Sequence, residues 1–201
     1  MGRWAIQWGR YQLYDEPFLK NLVQIPASGL SINMSPTPIQ IGQLTLADAE
    51  SFRELRLEGL RLNPEAFGST YDFEKDQPLT RYTGWLTNST VFGAYQNSHL
   101  IGTASFTQLS GLKDSHKGLL RAMYVRPAHR RSGAGRQLVQ AVIETARQKV
   151  EQIQLAVVSD NQPALRLYQT LGFRQYGLEP RALKHNGIYS GEILMSLDLT
   201  S

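Results

Sequence analysis

The chain of 201 residues contains no cysteine, which excludes disulfides, thiolate metal ligands and a cysteine nucleophile. Histidine is scarce as well: four, scattered along the chain, give no basis for a metal site, and none is expected. No apolar run approaches the roughly 18 residues that a spanning helix needs, so no membrane segment is expected. The N-terminal region has no compact apolar stretch followed by a small-residue cleavage site, and the expected location is the cytoplasm. Charge of one sign is also modest: 21 Lys and Arg against 17 Asp and Glu leave a net +4. That excess suits an anionic small molecule at least as well as a nucleic acid, whose binders carry denser basic patches. What is present is a hydrophobic content of 41%, enough at this length to bury one core, so a single α/β domain is expected.

Residues 1–38 differ from the remainder. Trp4, Trp8, Tyr11 and Tyr14 follow no clean period, and Pro26, Ser28, Gly29, Ser31, Ser35, Pro36 and Pro38 make a linker-like tract. This reads as an N-terminal extension or linker, with Met34 a natural start for a compact domain over 39–201. From Ile39 a strand leads to Thr45-Leu46-Ala47-Asp48, a capping-box pattern with Asp in place of Glu that introduces a helix. Phe52, Leu55 and Leu60 form its apolar face, with Glu50, Glu54 and Glu58 at polar positions. The stretch 62–79, rich in Pro, Gly, Ser and Asp, reads as a long loop, after which Thr80 would cap a short helix carrying Tyr82, Trp85 and Leu86. Strands are expected at about 90–96, 99–108 and 117–126, the first two joined by Asn97-Ser98.

Downstream, Leu138, Val139, Val142, Ile143, Ala146 and Val150 recur at helical spacing, and Ile153, Leu155 and Val157 alternate as a strand. Pro163 opens a further helix, Gly172 closes it in a left-handed conformation, and a final hairpin pairs about 173–178 with 189–199. The strand, helix and strand over 117–158 imply a right-handed crossover and a parallel pair within a mixed sheet. Such a sheet binds its ligand at the strands' C-terminal ends.

The segment Val125-Arg126-Pro127-Ala128-His129-Arg130-Arg131-Ser132-Gly133-Ala134-Gly135-Arg136-Gln137-Leu138 joins strand to helix through a glycine-bearing turn. A helix start presents unpartnered backbone N–H groups and the positive end of the macrodipole, and glycines let a phosphate come close. The segment is thus a candidate anion cradle. No Lys-Ser/Thr pair follows Gly133 or Gly135, which argues against a Walker A loop and ATP hydrolysis. Leu138 stands where a dinucleotide fingerprint needs its third glycine, which argues against nicotinamide or flavin. On the glycines alone, a plain strand-to-helix turn with solvated arginines stays open.

Arg130-x-x-Gly133-x-Gly135 after a strand resembles the acyl-coenzyme-A signature of the GNAT superfamily of N-acetyltransferases, Gln/Arg-x-x-Gly-x-Gly/Ala. Asn161-Gln162-Pro163-Ala164-Leu165-Arg166-Leu167-Tyr168 and Leu171-Gly172-Phe173 resemble that family's Asn-x-x-Ala-x-x-x-Tyr and Leu-Gly-Phe segment. Leu55-Arg56-Leu57-Glu58-Gly59-Leu60, Pro64-Glu65-Ala66-Phe67-Gly68 and Glu179-Pro180-Arg181-Ala182-Leu183 look like a bacterial subgroup of generic GNAT enzymes. The resemblance covers roughly 39–199.

It implies an α/β GNAT acyl-CoA N-acyltransferase fold: a central mixed, mostly antiparallel twisted sheet flanked by helices, with a splayed parallel strand pair binding acetyl-CoA. It also implies that the strand bulges around Met123, Tyr124 and Val125 and pairs with pantetheine as though with an extra strand. Backbone N–H groups of Arg131, Ser132, Gly133, Ala134, Gly135 and Arg136 would hold the pyrophosphate, with Arg130, Arg131 or Arg136 adding charge. Arg131 departs from the family, which often has glycine there, so the turn must tolerate a side chain. Asn161, with Ala164 in the same motif, would bind the pantetheine arm, or else serve as a helix cap. Tyr168 would be the general acid for the leaving sulfur, or else a core aromatic of its helix.

An incoming ammonium must lose a proton before it attacks, so a carboxylate base is expected. The strand 117–126 has no Asp or Glu, where some family members carry that base. The candidates are Glu54 and Glu58 on the first helix, Glu65, Asp72 and Glu74 after it, and Glu192 on the last hairpin, none preferred. Trp85, Tyr71, Phe73 and Tyr189 would wall the acceptor pocket. The implied activity is acetyl transfer from acetyl-CoA to a primary amine of a small molecule, peptide or protein by direct attack. Two alternatives are a non-catalytic acyl-CoA sensor on the same scaffold and a nucleic-acid binder using Arg126, His129, Arg130, Arg131 and Arg136. No other basic stripe supports the latter, so no nucleic-acid partner is expected. A homodimer is the commonest closed assembly for such a chain.

Overall fold

The computed structural model describes residues 37–200. The expected N-terminal extension, Met34 included, lies outside the described residues except for Thr37 and Pro38. Among the described residues, seven strands form one sheet: β1 (Gln40–Gln43), β2 (Thr90–Gln96), β3 (His99–Gln108), β4 (Lys117–Val125), β5 (Gln152–Val158), β6 (Arg174–His185) and β7 (Ile188–Asp198). They lie in the order β1-β2-β3-β4-β5-β7-β6, and every neighbouring pair is antiparallel except β4 and β5. The helices are α1 (Ala49–Leu62), α2 (Tyr71–Glu74), α3 (Leu79–Asn88), α4 (Ala134–Arg147) and α5 (Gln162–Thr170).

The apolar stripe of α4 explains one half of the core. Leu138, Val139, Val142, Ile143 and Ala146 are buried with Ile101, Ala104, Phe106 and Ile153 of the sheet, at about 1.5–3 kcal/mol for each large side chain removed from water. A second cluster joins α1 and α3 to the sheet through Phe52, Leu55, Tyr82, Leu86, Val91, Leu100 and Tyr124. There the Phe52 ring meets Tyr82 and Trp85 edge-on, at centroid distances of 6.1 and 5.4 Å. The capping pattern before α1 forms: the Asp48 carboxylate accepts from the Thr45 N–H at 2.7 Å and the Thr45 hydroxyl at 2.9 Å. The backbone bond from Thr45 is the main reason the Asp48 pKa sits below the usual carboxylate range.

Three expectations are corrected. The stretch 62–79 is not a bare loop, because Pro64–Ala66 makes a 3-10 turn and Thr70 caps α2, its hydroxyl accepting from the Phe73 N–H at 3.3 Å. The cap of α3 is Pro78 rather than Thr80; its φ of −66° already suits the entry to a helix. The last hairpin is longer than expected, since β6 and β7 continue to an Asn186-Gly187 turn whose residues have φ of 48° and 81°. Two residues at positive φ match the strand twist and hold such a turn tight.

β4 and β5 pair only over Lys117–Leu119 with Gln152–Gln154 and then part. Beyond that point β4 bulges: Ala122 has φ of 50°, and the register against β3 shifts between Thr103 and Ser105. A bulge bends its strand and raises the local twist, which turns β4 away from β5. The Thr103 hydroxyl donates to the Ala122 carbonyl at 3.2 Å and fixes the kink. Opposite it, a Cβ on Gly102 would lie 2.8 Å from the Tyr124 carbonyl, so the strands approach this closely only because that residue is glycine. The bulge thus begins at Ala122, one residue before the expected Met123. Among the described residues no helix is long and apolar enough to cross a membrane.

Candidate active site

Where β4 leaves β5 a cavity of about 620 Å³ opens. β4 contributes Met123, Tyr124 and Val125; the turn after it contributes Arg130, Arg131, Gly133, Gly135 and Arg136; Asn161 and Ala164 come from the start of α5. Ser132, Ala134 and Tyr168, also expected at a cofactor, do not line this wall. The Ser132 hydroxyl donates to the His129 carbonyl at 2.7 Å, and Ala134 is buried. Asn63, Glu65, Ala66 and Phe67 also line the cavity and were not anticipated there, although Glu65, Ala66 and Phe67 belong to the Pro-Glu-Ala-Phe-Gly segment.

The strand does not run straight into the helix, because a 3-10 turn at Pro127–His129 intervenes. Gly133 then takes the N-cap of α4 at φ 91°, a conformation that glycine adopts without strain. Arg131 has φ 62°, which for a residue with a Cβ stores about 1–2 kcal/mol. The family's preference for glycine there therefore has a backbone cause, and this chain keeps the fold of the turn while carrying a cation. The N–H groups of Gly135 and Arg136 find no acceptor among the described residues. A Cβ on Gly135 would meet the Met123 Cε at 3.1 Å, so the wall is tight beside these donors. Open donors at a helix start, next to Arg131 and Arg136, fit a pyrophosphate.

Arg130 is fixed by its own bonds: Nε donates to the Val125 carbonyl at 3.1 Å and Nη2 to Asn63 Oδ1 at 2.7 Å. The Asn161 Oδ1 accepts from the Ala164 N–H at 3.2 Å, so this side chain caps α5. Tyr168 is only 5% exposed and packs against Phe173 with ring centroids 5.7 Å apart. Its hydroxyl has no partner among the described residues, and burial pushes its pKa well above the usual phenol range, which keeps it protonated.

A second cavity, of about 560 Å³, lies on the other side of the bulge. Residues Leu119 to Ala122 of β4 and Gln154 to Ala156 of β5 line it, together with Arg56, Ser69, Trp85, Tyr176, Glu192 and Leu194. Ala66 and Phe67 belong to both walls. Of the aromatic residues expected to wall an acceptor pocket, Trp85 does so. Tyr71, Phe73 and Tyr189 do not; they carry cations instead, Lys75 over Tyr71, Arg81 over Phe73, and Arg181 with Lys184 over Tyr189. Phe67 and Tyr176 line the cavity in their stead.

The carboxylates separate clearly. Glu58 accepts from the Tyr124 hydroxyl at 3.1 Å and from Arg126 Nε at 3.0 Å, and burial with this carboxylate beside it pushes the Tyr124 pKa up to about 12. Glu74 is 1% exposed and takes Arg56 Nε and Nη2 on its two oxygens, at 3.1 and 2.9 Å. Burial, the largest single influence, would raise the Glu74 pKa, but the Arg56 hydrogen bonds, the Ser69 hydroxyl and the charges of Arg56 and Arg81 together outweigh it and hold the group below the usual range. Asp72 pairs with Lys75 at 2.8 Å, Glu54 is exposed, and Glu65 stands at the first cavity. Glu192 is the carboxylate on the wall of the second cavity. Burial raises its pKa, and the Glu179 carboxylate, opposite it across the β6–β7 ladder, adds to the rise. Among the described residues no cluster of His, Asp and Glu stands ready to hold a metal ion.

Comparison with known proteins agrees with this geometry. The acetyltransferase (GNAT) family profile matches residues 56–173. The N-alpha-acetyltransferase RimI of Mycobacterium tuberculosis is 29% identical over 150 residues, covering 75% of this chain and 87% of that protein. The L-amino acid N-acyltransferase MnaT of Escherichia coli K12 is 32% identical over 84 residues, 41% of this chain and 49% of that protein, so the match spans about half of each. Among solved structures, yncA of Salmonella typhimurium, determined with its cofactor acetyl-CoA, has a TM-score of 0.73 at 22% identity and covers 82% of this chain and 96% of its own. That likeness shows the fold, a mixed sheet with one parallel, splayed strand pair. With more than half its length matched by the family profile, this chain belongs to the GNAT family of acetyltransferases.

Proposed function

We propose that this protein moves the acetyl group of acetyl-CoA to an α-amine by direct attack, with Glu192 as general base. The supporting observation is the bulge at Ala122, which divides one trough along β4 into two parts. Towards α4, the freed backbone of Met123 to Val125 offers ladder groups to the extended pantetheine arm. The N–H groups of Gly135 and Arg136 face the end where a pyrophosphate fits, and Arg131 and Arg136 supply charge. Asn161 borders the same arm while capping α5. When bound, acetyl-CoA supplies an activated thioester at the junction of the two cavities.

On the other side of the bulge, Glu192 takes a proton from the entering ammonium and leaves its nitrogen lone pair free to attack. A raised pKa brings the carboxylate nearer to the amine it must deprotonate, which is what a base at neutral pH requires. The sulfur leaves as the thiolate and takes its proton from water, because Tyr168 lines neither cavity. The α-amine class follows from two relatives, one named for N-alpha acetylation and one for L-amino acid acylation.

The cofactor half is tested by thermal unfolding. At a hundredfold excess over Kd, acetyl-CoA adds about 2.7 kcal/mol to stability, which raises Tm by about 5–10 °C for a chain of this size. No change in Tm at saturating acetyl-CoA overturns the reading.

A further inference from the structure

We infer that the acceptor carries a carboxylate close to its amine, and that Arg56 binds it: the substrate is a free amino acid rather than a protein N terminus. This rests on the acetyl-transfer reading above. Arg56 reaches from α1 into the second cavity, yet its side chain is only 10% exposed. Nε and Nη2 are committed to Glu74. Nη1 has no acceptor among the described residues, so with the second Nη2 hydrogen three of the five donor hydrogens are left for a ligand.

The group is also held still. Its Cζ lies 4.8 Å from the centroid of Phe67 and 5.5 Å from that of Trp85, and both rings line the same cavity. A guanidinium locked by a carboxylate on one edge and by rings on its faces presents its remaining edge without loss of rotamer freedom. Structural pairing with Glu74 accounts for two of its nitrogens and leaves the third without an acceptor among the described residues. Arg121 adds a second cation on the wall and has no carboxylate partner among the described residues. Glu192 supplies the negative charge of the same wall. The wall thus carries cations for a carboxylate and an anion for an ammonium, the two charges of a zwitterion. A peptide N terminus has only a neutral carbonyl beside its amine and forgoes the charge-assisted bond.

The test is thiol release from acetyl-CoA with the common L-amino acids and with the primary amide of each. The amide keeps the amine and the side chain and removes only the negative charge. The best amino acid is expected to exceed its amide in kcat/KM by about tenfold to a hundredfold, the worth of a hydrogen bond to a charged group. In a chain carrying Arg56→Met together with Glu74→Gln, which leaves no unpaired buried carboxylate, that preference should fall towards one while the acetyl-CoA shift in Tm persists. Equal rates for acids and amides, faster acetylation of peptides, or an undiminished preference in the folded double variant would overturn the inference and leave acetyl transfer standing. Thiol release from no acceptor at all sinks acetyl transfer itself, and this inference with it. If the double variant does not fold, the ratio in the unmodified protein decides alone.

Discussion

Replacing Glu192 with Gln is expected to lower kcat/KM for acetyl transfer by about a hundredfold to ten-thousandfold, the range of positioned general bases. The acetyl-CoA shift in Tm should not change, because Glu192 lines the second cavity and not the first. The same carboxylate sets the acidic limb of the pH profile. It must be ionised to accept a proton, so activity rises with pH through its pKa. That midpoint should lie above the ordinary glutamate value of about 4.3, because burial and Glu179 both disfavour the charge. Glu179→Gln removes one of the two causes and should move the midpoint down. Steady-state rates from pH 5 to 9 measure both effects, and an undiminished rate in Glu192→Gln would remove this residue from the chemistry.

Glu74→Ala should destabilise the fold by about 3–5 kcal/mol, the penalty for breaking a buried ion pair by deleting one partner. An exposed pair would contribute at most about 1 kcal/mol, and here the carboxylate is 1% exposed while the guanidinium is 10% exposed. The loss spreads beyond the pair. Tyr82 donates to the Glu74 carbonyl at 3.3 Å and Arg53 Nη2 to the Lys75 carbonyl at 3.0 Å, so α2 is fastened to α1 and α3 at this point. The pH dependence has a definite sign. The folded pKa of Glu74 lies below its unfolded value, so the pair's contribution is complete above the ordinary glutamate range and disappears as pH falls through the lower, folded value. Urea unfolding of both chains at neutral pH checks the magnitude; a difference under about 1 kcal/mol would mean that solvent reaches the pair.

Elements with strong local signals are legible in the sequence. β2, β3 and the helix α4 fall where apolar periodicity puts them, and the tight turn between β2 and β3 has Asn97 and Ser98 at φ of 50° and 62°. The parallel β4–β5 pair follows from the strand, helix and strand order. The four residues of α2 are too few to show a period; the helix exists because Thr70 caps it and Arg56 holds Glu74, a contact 18 residues away. The long final hairpin does carry a local signal, Asn186-Gly187, while Pro180 and the positive φ of Arg181 sit where its ladder is interrupted, between Glu179 and Leu183. In the site, the glycine turn before α4 and the Asn161 cap of α5 are legible because their residue types are fixed by backbone demands: glycine for positive φ, asparagine for a cap. The carboxylates look alike in sequence. Arg126 and Tyr124 occupy Glu58, Arg56 occupies Glu74, and the sheet order brings Glu192 to the cavity, none of which has a local signature.

In the proposed reaction the two cavities along β4 act together, one holding the acetyl donor and the other the amine. The most direct measurement follows thiol release and acceptor acetylation together, with acetyl-CoA and an amino acid and amine panel. One thiol released for each acetylated amine, abolished or sharply reduced by Glu192→Gln, is the predicted result. A protein that acetyl-CoA stabilises against heat, yet that releases no thiol with any acceptor in the panel, would contradict it and identify the scaffold as a sensor.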